Sequence, residues 1–365
     1  MKFTINADIF RASATEVVGA TSSKASNPAY MSVLIRADKR SQVVMLTGQC
    51  ESQYINLKLQ AKVDEGGQFC VSADRFGSIA KTLRGDVTVK KGASQVTFKV
   101  GKATLRLAHT PTEHYPLAEQ IKEGSSKVTV NLMTMKRHIK EYLYAVAHGD
   151  VRGALNGVSI KVIGSSFELA SCDGQRLAVS MQDAVSEGDV SAVVPLAFMA
   201  SVSKLYCAAE DETLDFIISD HDIRYETTSR LVLSRLIAVP YPDYKSVLRS
   251  FESRVDVDKA AFQESLKRVV ALSSGDKALR VVLTLGQNSM LMAYKTDDET
   301  GHVEDELPIS STLGSEIVYG CNPQYLLDMI QHVDMEKISL QMNGPNDAVV
   351  LETNESKALV MPYRL

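Results

Sequence analysis

The sequence predicts an α+β protein built of three tandem repeats, each with two amphipathic helices packed on β sheets. Three observations carry this. A short strand that runs into a helix opens at Lys2 (KFTINADIFRASATEVV), at Lys127 (KVTVNLMTMKRHIKEYLYAV) and at Arg254 (RVDVDKAAFQESLKRVV), with spacings of 125 and 127 residues. A second helical run recurs about two-thirds of the way through each unit: SADRFGSIAKTLRG from Ser72, PLAFMASVSKLY from Pro195 and NPQYLLDMIQHV from Asn322. Each unit also closes alike, with EHYP at 113–116, PYPDY at 240–244 and VMPYRL at the terminus. The expected domains are residues 1–125, 126–252 and 253–365.

Taken in order, each repeat opens on a period-2 strand such as KFTIN and passes into a helix with one apolar stripe. In the second repeat the stripe is Met135, Ile139, Tyr142, Leu143 and Val146, with Lys136, Arg137 and Lys140 on other faces. In the third it is Phe262, Leu266, Val269 and Val270, with Lys267 and Arg268 nearby. For the second helices, Ser72 and Asn322 fit the N-cap and Pro195 fits the first turn. The runs DVTVKKGASQVTFKVGKATLRLAHTP and ISLQMNGPNDAVVLETNESKALVMP alternate and break at Gly, Asn and Asp, as strands joined by turns do. The ending ALVMPYRL is nearly uncharged and apolar, whereas a free tail is polar, because a short segment cannot bury enough surface to offset its ordering entropy. It is read as the docked last strand of the third repeat.

At 365 residues, 45% hydrophobic and 23% charged, the chain has the composition of an ordinary globular protein. Its five cysteines stand apart with no CxxC pair, and their odd number argues against a disulfide framework or a zinc site. A reducing cytosol, with no metal and no cofactor, is the expectation. MKFTINADIF alternates and then turns polar, and no run approaches 18 apolar residues, so neither export nor membrane spanning is expected. The net charge is -4, but it is unevenly spread. Residues 1–125 hold 17 Lys+Arg against 11 Asp+Glu, residues 126–252 hold 13 against 16, and residues 253–365 hold 10 against 17. Three units in a row with a basic first end and an acidic last end can join head to tail with a second copy and close a ring.

The runs AHGDVRGALNGV (147–158), ASCDGQRLAV (170–179) and YPDYKSVL (241–248), the opening MKFTI and the ending VMPYRL resemble segments of the bacterial sliding clamps, the β subunits of DNA polymerase III. The resemblance covers essentially the whole chain in order. It implies a head-to-tail homodimeric ring of six similar domains, with helices lining a hole for duplex DNA and sheets outside. It implies no catalysis: a partner held by a ring that cannot leave the duplex re-engages the template intramolecularly.

The same resemblance implies a groove for short apolar peptides of polymerases, clamp-loader subunits and repair proteins. In this sequence it would comprise Leu155, Cys172, Gly174, Gln175, Arg176, Leu177, Pro242, Val247, Tyr325, Val360, Met361, Pro362, Tyr363 and Arg364. The pliable thioether of Met361 suits it to varied anchors. Facing DNA, by non-sequence-specific phosphate attraction, would be Lys24, Arg75, Lys81, Arg84, Lys136, Arg137, Lys140, Lys204, Lys267 and Arg268. The subunit contact would use Arg75, Leu105, Leu107, Ala271 and Leu272. It would also use Asp298, Glu299 and Glu304 from the acidic run TDDETGHVEDE (296–306), otherwise read as a solvated loop. Ser246, Cys172 and Tyr363 depart from residues frequent in the family, and Gly149, Gly153 and Ala154 stand where some members carry DNA-touching side chains, so these three are not assigned to DNA.

Two other readings compete. His148, Asp150, Cys172 and Asp173 can be imagined as a Cys/His enzyme site, which would need a base beside the thiol. VGKAT at 100–104 lacks the first glycine of a phosphate loop, and there is no GxSxG. A clamp-like scaffold that binds peptides without encircling DNA is the other.

Overall fold

The computed structural model describes residues 1–113, 115–116, 125–248, 251–273 and 279–364. His114 of the EHYP run and the terminal Leu365 lie outside them. Six α helices stand among the described residues, two in each repeat as expected: α1 (Ala7–Gly19), α2 (Ala73–Thr82), α3 (Leu132–Tyr142), α4 (Leu196–Ser203), α5 (Lys259–Leu272) and α6 (Pro323–Ile330).

The three opening helices start by one device. The last residue of the preceding strand is Asn6, Asn131 or Asp258, and its side-chain oxygen accepts first-turn N–H groups, from Asp8 and Ile9, from Thr134, and from Ala261. The second helices are less uniform. Asn322 caps α6 through the Gln324 N–H, with Pro323 in the first turn. Ser72 occupies the cap position of α2 but its hydroxyl accepts no cap bond, and Pro195 stands at the cap of α4 rather than inside its first turn. The stripe predicted to run to Val146 is divided: α3 ends at Tyr142, and Leu143–Ala145 form a 3-10 turn. The Ser171 hydroxyl takes the Tyr142 carbonyl, the acceptor that another α turn would have used.

The chain forms two compact units, Met1–Thr129 with Leu214–Leu236, and Val130–Thr213 with Ile237–Leu365. The middle repeat is therefore shared between them. In the first unit, Phe3, Phe10, Phe76 and Phe98 form a chain of ring contacts, with centroids 5.6 to 6.2 Å apart. Helix α1 comes against strand Val43–Gln49 at Gly48, where a Cβ would stand 1.9 Å from the Val17 carbonyl oxygen. Strand Gln53–Gln60 of the first repeat pairs antiparallel with Arg230–Arg235 of the second, from Arg230 opposite Leu57 to Ser234 opposite Gln53. An ion pair at 2.9 Å joins Arg230 to the buried Glu16 of α1.

In the second unit a single sheet continues from the second repeat into the third. Its strand order is Val190–Pro195, Gly157–Ile163, Ser166–Cys172, Arg176–Ser186, Ser356–Val360, Val349–Glu352, Lys337–Met342 and Ser253–Asp258. The apolar ending thus begins as an inner strand, with Ala358–Val360 paired on both sides. A second layer in the third repeat runs Ile317–Cys321, Val281–Leu285, Ser289–Lys295 and His302–Ser311. In the same core, α5 and α6 bury Phe262, Leu266, Val269, Leu326 and Met329 with Tyr319 and Val360.

The acidic run 296–306 is not one loop. Residues 296–301 form a turn in which Thr296 Oγ1 donates to Asp298 at 2.7 Å and accepts the Gly301 N–H at 3.0 Å. From His302 the chain is strand, because Val303, Leu307 and Ile309 alternate inward between the acids.

Candidate functional site

The tail leaves the sheet at Val360 and is strapped to two neighbours. The Met361 N–H donates to the Gln175 carbonyl at 2.8 Å, and the Tyr363 N–H donates to the Gly320 carbonyl at 2.7 Å. Behind it, the Tyr319 hydroxyl donates to the Val360 carbonyl at 3.2 Å.

The facing wall is the turn at 172–176. Asp173 Oδ1 accepts the N–H groups of Gln175 and Arg176 at 2.8 and 3.0 Å. Gly174 has φ +91, and a Cβ there would lie 2.9 Å from the Arg152 guanidinium, which pairs with Asp150 at 2.6 Å and donates to the Asp173 carbonyl at 3.0 Å. Arg176 is only 14% exposed in its side chain. It pairs with Asp173 at 3.0 Å and with Asp328 of α6, and its guanidinium carbon lies 4.4 Å from the Tyr325 ring centroid and 5.4 Å from that of Tyr144.

Under these walls lies a small apolar cluster: buried Leu177, Val179, Tyr244 and Leu359, with Cys172, Tyr241, Leu248, Phe251 and Met361 half-buried around it. Tyr244, in the 3-10 segment Tyr244–Val247, donates its hydroxyl to Glu168, which Lys245 also pairs at 3.2 Å.

Of the residues expected in the groove, Cys172, Gly174, Gln175, Arg176, Tyr325, Met361, Pro362 and Tyr363 gather at this place with partial or full exposure, and Pro242, Val247 and Arg364 stand exposed at its margin. Three were expected on the surface and are not: Leu155 (1%), Leu177 (1%) and Val360 (0%) are buried, because their alternating strand or turn positions point into the core. They belong to the core beneath the exposed residues. The sequence reading missed Tyr241, Leu248, Phe251 and Asp328. The spacing of Tyr241, Tyr244 and Leu248 in YPDYKSVL was the available signal.

The Cys/His reading loses its chemistry here. Burial pushes the Cys172 thiol up, away from the thiolate that a nucleophile needs, while Asp150 is committed to Arg152, which holds its carboxyl down at about 2. Among the described residues no cluster of His, Cys, Asp and Glu could hold a metal ion.

The ten candidate DNA-facing cations divide into two kinds. Lys24, Arg75, Lys81, Lys140 and Lys204 are exposed and make no ion pair among the described residues. The others are engaged within the chain. Arg84 turns back to the Lys81 and Leu83 carbonyls, Lys136 donates to the Leu205 carbonyl, Arg137 pairs with Glu355 at 2.6 Å, Lys267 pairs with Glu264 at 2.9 Å, and Arg268 pairs with Asp305.

Among the described residues, several strands keep an open edge, and one lies in the first repeat and another in the third. Strand Ala103–Thr110 pairs with Gln95–Val100 on one side, but on the other only Thr110 and His109 have partners among the described residues. Strand His302–Ser311 pairs with Ser289–Lys295 on one side, and on the other only its last three residues are paired. Leu105 is half-exposed, and Ala271 and Leu272 are exposed at the end of α5, Leu272 at 36%. Leu107 departs from expectation: it is 5% exposed, since it faces the core of its own sheet. Glu299 pairs with Lys295 at 3.1 Å, Asp298 is tied into its turn by Thr296 and Thr300, and Glu304 lies on the open-edged strand.

Comparison with known proteins covers the whole chain. Family models of the DNA polymerase III beta subunit match in sequence order: the N-terminal domain at residues 1–119, the central domain at 129–243 and the C-terminal domain at 247–364. The chain is 27% identical to the beta sliding clamp of Pseudomonas putida and 25% identical to that of Escherichia coli K12, with 100% of both chains covered in each case. Among solved structures it is similar to a Pseudomonas aeruginosa sliding clamp bound to griselimycin, with TM-score 0.86, 23% identity and full coverage of both chains. It is also similar to the DNA polymerase III beta subunit of Thermotoga maritima, with TM-score 0.87, 20% identity and coverage of 100% of this chain and 99% of that one.

Proposed function

This chain belongs to the DNA polymerase III β-subunit family, and from that premise we propose how it works as a DNA sliding clamp, with the groove around Met361 as its peptide site. The clamp is a processivity factor and not an enzyme. It acts as a homodimeric ring on duplex DNA and is engaged by polymerase and clamp-loader peptides. Its site of action is the bacterial cytoplasm, where the DNA lies, and no described helix is long and apolar enough to cross a membrane.

The three domains we assign are the repeats 1–125, 126–252 and 253–365. The observation that carries the ring is that an open edge stands in the first repeat and another in the third. Each junction between consecutive repeats is a strand pair, Gln53–Gln60 with Arg230–Arg235 and Arg176–Ser186 with Ser356–Val360. Among the open edges that remain, we assign the subunit contact to Ala103–Thr110 in the first repeat and His302–Ser311 in the third. An open strand edge is a template for another chain, and a head-to-tail contact between these two completes the series and closes on itself at two copies. Leu105 would meet Ala271 and Leu272 there, and Arg75 would face the acidic side made by Asp298, Glu299 and Glu304, with Leu107 supporting the contact from inside.

Inside the ring, the exposed Lys24, Arg75, Lys81, Lys140 and Lys204 attract phosphate without reading sequence. Contacts can be loose, because topology and effective concentration replace affinity. Solution mass tests the assembly. The native chain should run as two copies and Leu272→Asp as one at micromolar concentration, since a charge would be buried without a partner. A Leu272→Asp variant that keeps the mass of two chains would refute this interface.

A further inference from the structure

We propose that Asp328 is a positioning residue of the peptide groove: through Arg176 it fixes the 172–176 turn and Tyr325 in the arrangement that receives a peptide. The inference rests on the groove reading above and goes beyond it, because Asp328 lies behind the wall and would not touch the ligand.

A continuous relay of hydrogen bonds supports it. Asn322 caps α6 by accepting the Gln324 N–H at 2.9 Å, and the Gln324 amide donates to Asp328 Oδ1 at 2.7 Å. Asp328 Oδ2 accepts from Arg176 Nη1, while Arg176 Nε donates to Asp173 Oδ2 at 3.0 Å. Asp173 in turn holds the N–H groups of Gln175 and Arg176, and the Gln175 carbonyl accepts the Met361 N–H. The relay runs from a third-repeat helix, through a second-repeat turn, to the terminal tail.

Both carboxylates and the guanidinium are about six-sevenths buried, at 14% to 16% exposure, so these charge-assisted bonds are little screened. The guanidinium is planar and is held on its face by Tyr325 and Tyr144 and along its edge by the two acids, a geometry that Lys could not reproduce. Without Asp328, Arg176 would keep one acidic partner, Asp173, which already serves the turn. The wall would then sample more than one arrangement, and a ligand would have to order it on binding.

The test uses the full-length dimer and a fluorescein-labelled peptide ending in Leu-Phe, read by anisotropy, with mass and melting temperature measured alongside. Asp328→Asn should weaken binding about tenfold, and Gln324→Leu, which removes only the bond that orients the carboxylate, about threefold. Asp328→Glu should recover part of the loss. Combining Asp328→Asn with Arg176→Ala should lose no more than Arg176→Ala alone, because the two act in one relay. Should Asp328→Asn not fold, the Gln324→Leu result decides. Binding within twofold of the native chain in the folded variants, or losses that simply add, would overturn the inference. No peptide binding by the native chain would overturn the groove reading itself.

Discussion

Met361 is bound through its backbone to Gln175, N–H to carbonyl at 2.8 Å, although 186 positions separate them in sequence. The last residues of the chain therefore lie against a turn of the second repeat. The Met361 side chain is left half-buried over the cluster of Leu177, Tyr244 and Leu359. A flexible thioether in that position can repack around different apolar anchors.

Removal of residues 361–365 should accordingly abolish binding of an apolar-anchored peptide and leave the dimer mass unchanged, because the open edges at 103–108 and 302–308 belong to other strands. Met361→Ala alone should cost about 1 to 2 kcal/mol of peptide affinity by titration. Unchanged binding after truncation would remove the tail from the groove.

A second prediction concerns pH. His138 is 1% exposed on α3, with its ring against Tyr142, Arg137 beside it and Glu355 at 3.8 Å. Burial, aided by Arg137, lowers its pKa from 6.5 to about 4. Below pH 6.5 the unfolded chain takes up a proton that the folded chain refuses, so this contribution is complete above that pH and is lost as pH falls towards 4. The loss amounts to about 3 kcal/mol by the end of the window. His138→Gln should flatten the difference in denaturation free energy between pH 7 and pH 5, a range above the carboxylate titration of Glu355. An unchanged slope would contradict the assignment.

A third prediction tests the close approach of α1 to its sheet. Gly48→Ala places a methyl 1.9 Å from the Val17 carbonyl, a backbone atom that cannot rotate aside, and 2.7 Å from its carbon. The variant should lose about 3 kcal/mol of stability in chemical denaturation, the upper end of overpacking costs. A loss under about 1 kcal/mol would mean that the helix moves freely away from the strand.

The repeat and the docked ending were legible in the sequence because both depend on local pattern. The strand-to-helix openings at Lys2, Lys127 and Arg254 carry period 2 and then an apolar stripe, and an uncharged tail has few places to go. The Asn6, Asn131 and Asp258 caps are equally local, each the last residue of the strand before its helix. What was not legible depends on distance. The exposure of Val360 and Leu107 is decided by which sheet face the fold buries, and nothing near Asp328 in sequence indicates that Arg176 lies against it. The pairing of Arg137 with Glu355 likewise spans 218 positions. It turns a cation expected to face DNA into a brace between α3 and the turn before the last strand. The acidic run 296–306 was misread in part because its charges mask the alternation of Val303, Leu307 and Ile309.

Retention on DNA tests the central claim most directly. A clamp loaded onto nicked circular duplex should stay through gel filtration at moderate salt, and should be lost when a single cut makes the circle linear, while its affinity for a short free duplex is weak and falls steeply with salt. Equal retention on circular and linear DNA would contradict a topological ring. A chain that never remains on the circle yet still binds the peptide would be the non-encircling scaffold instead.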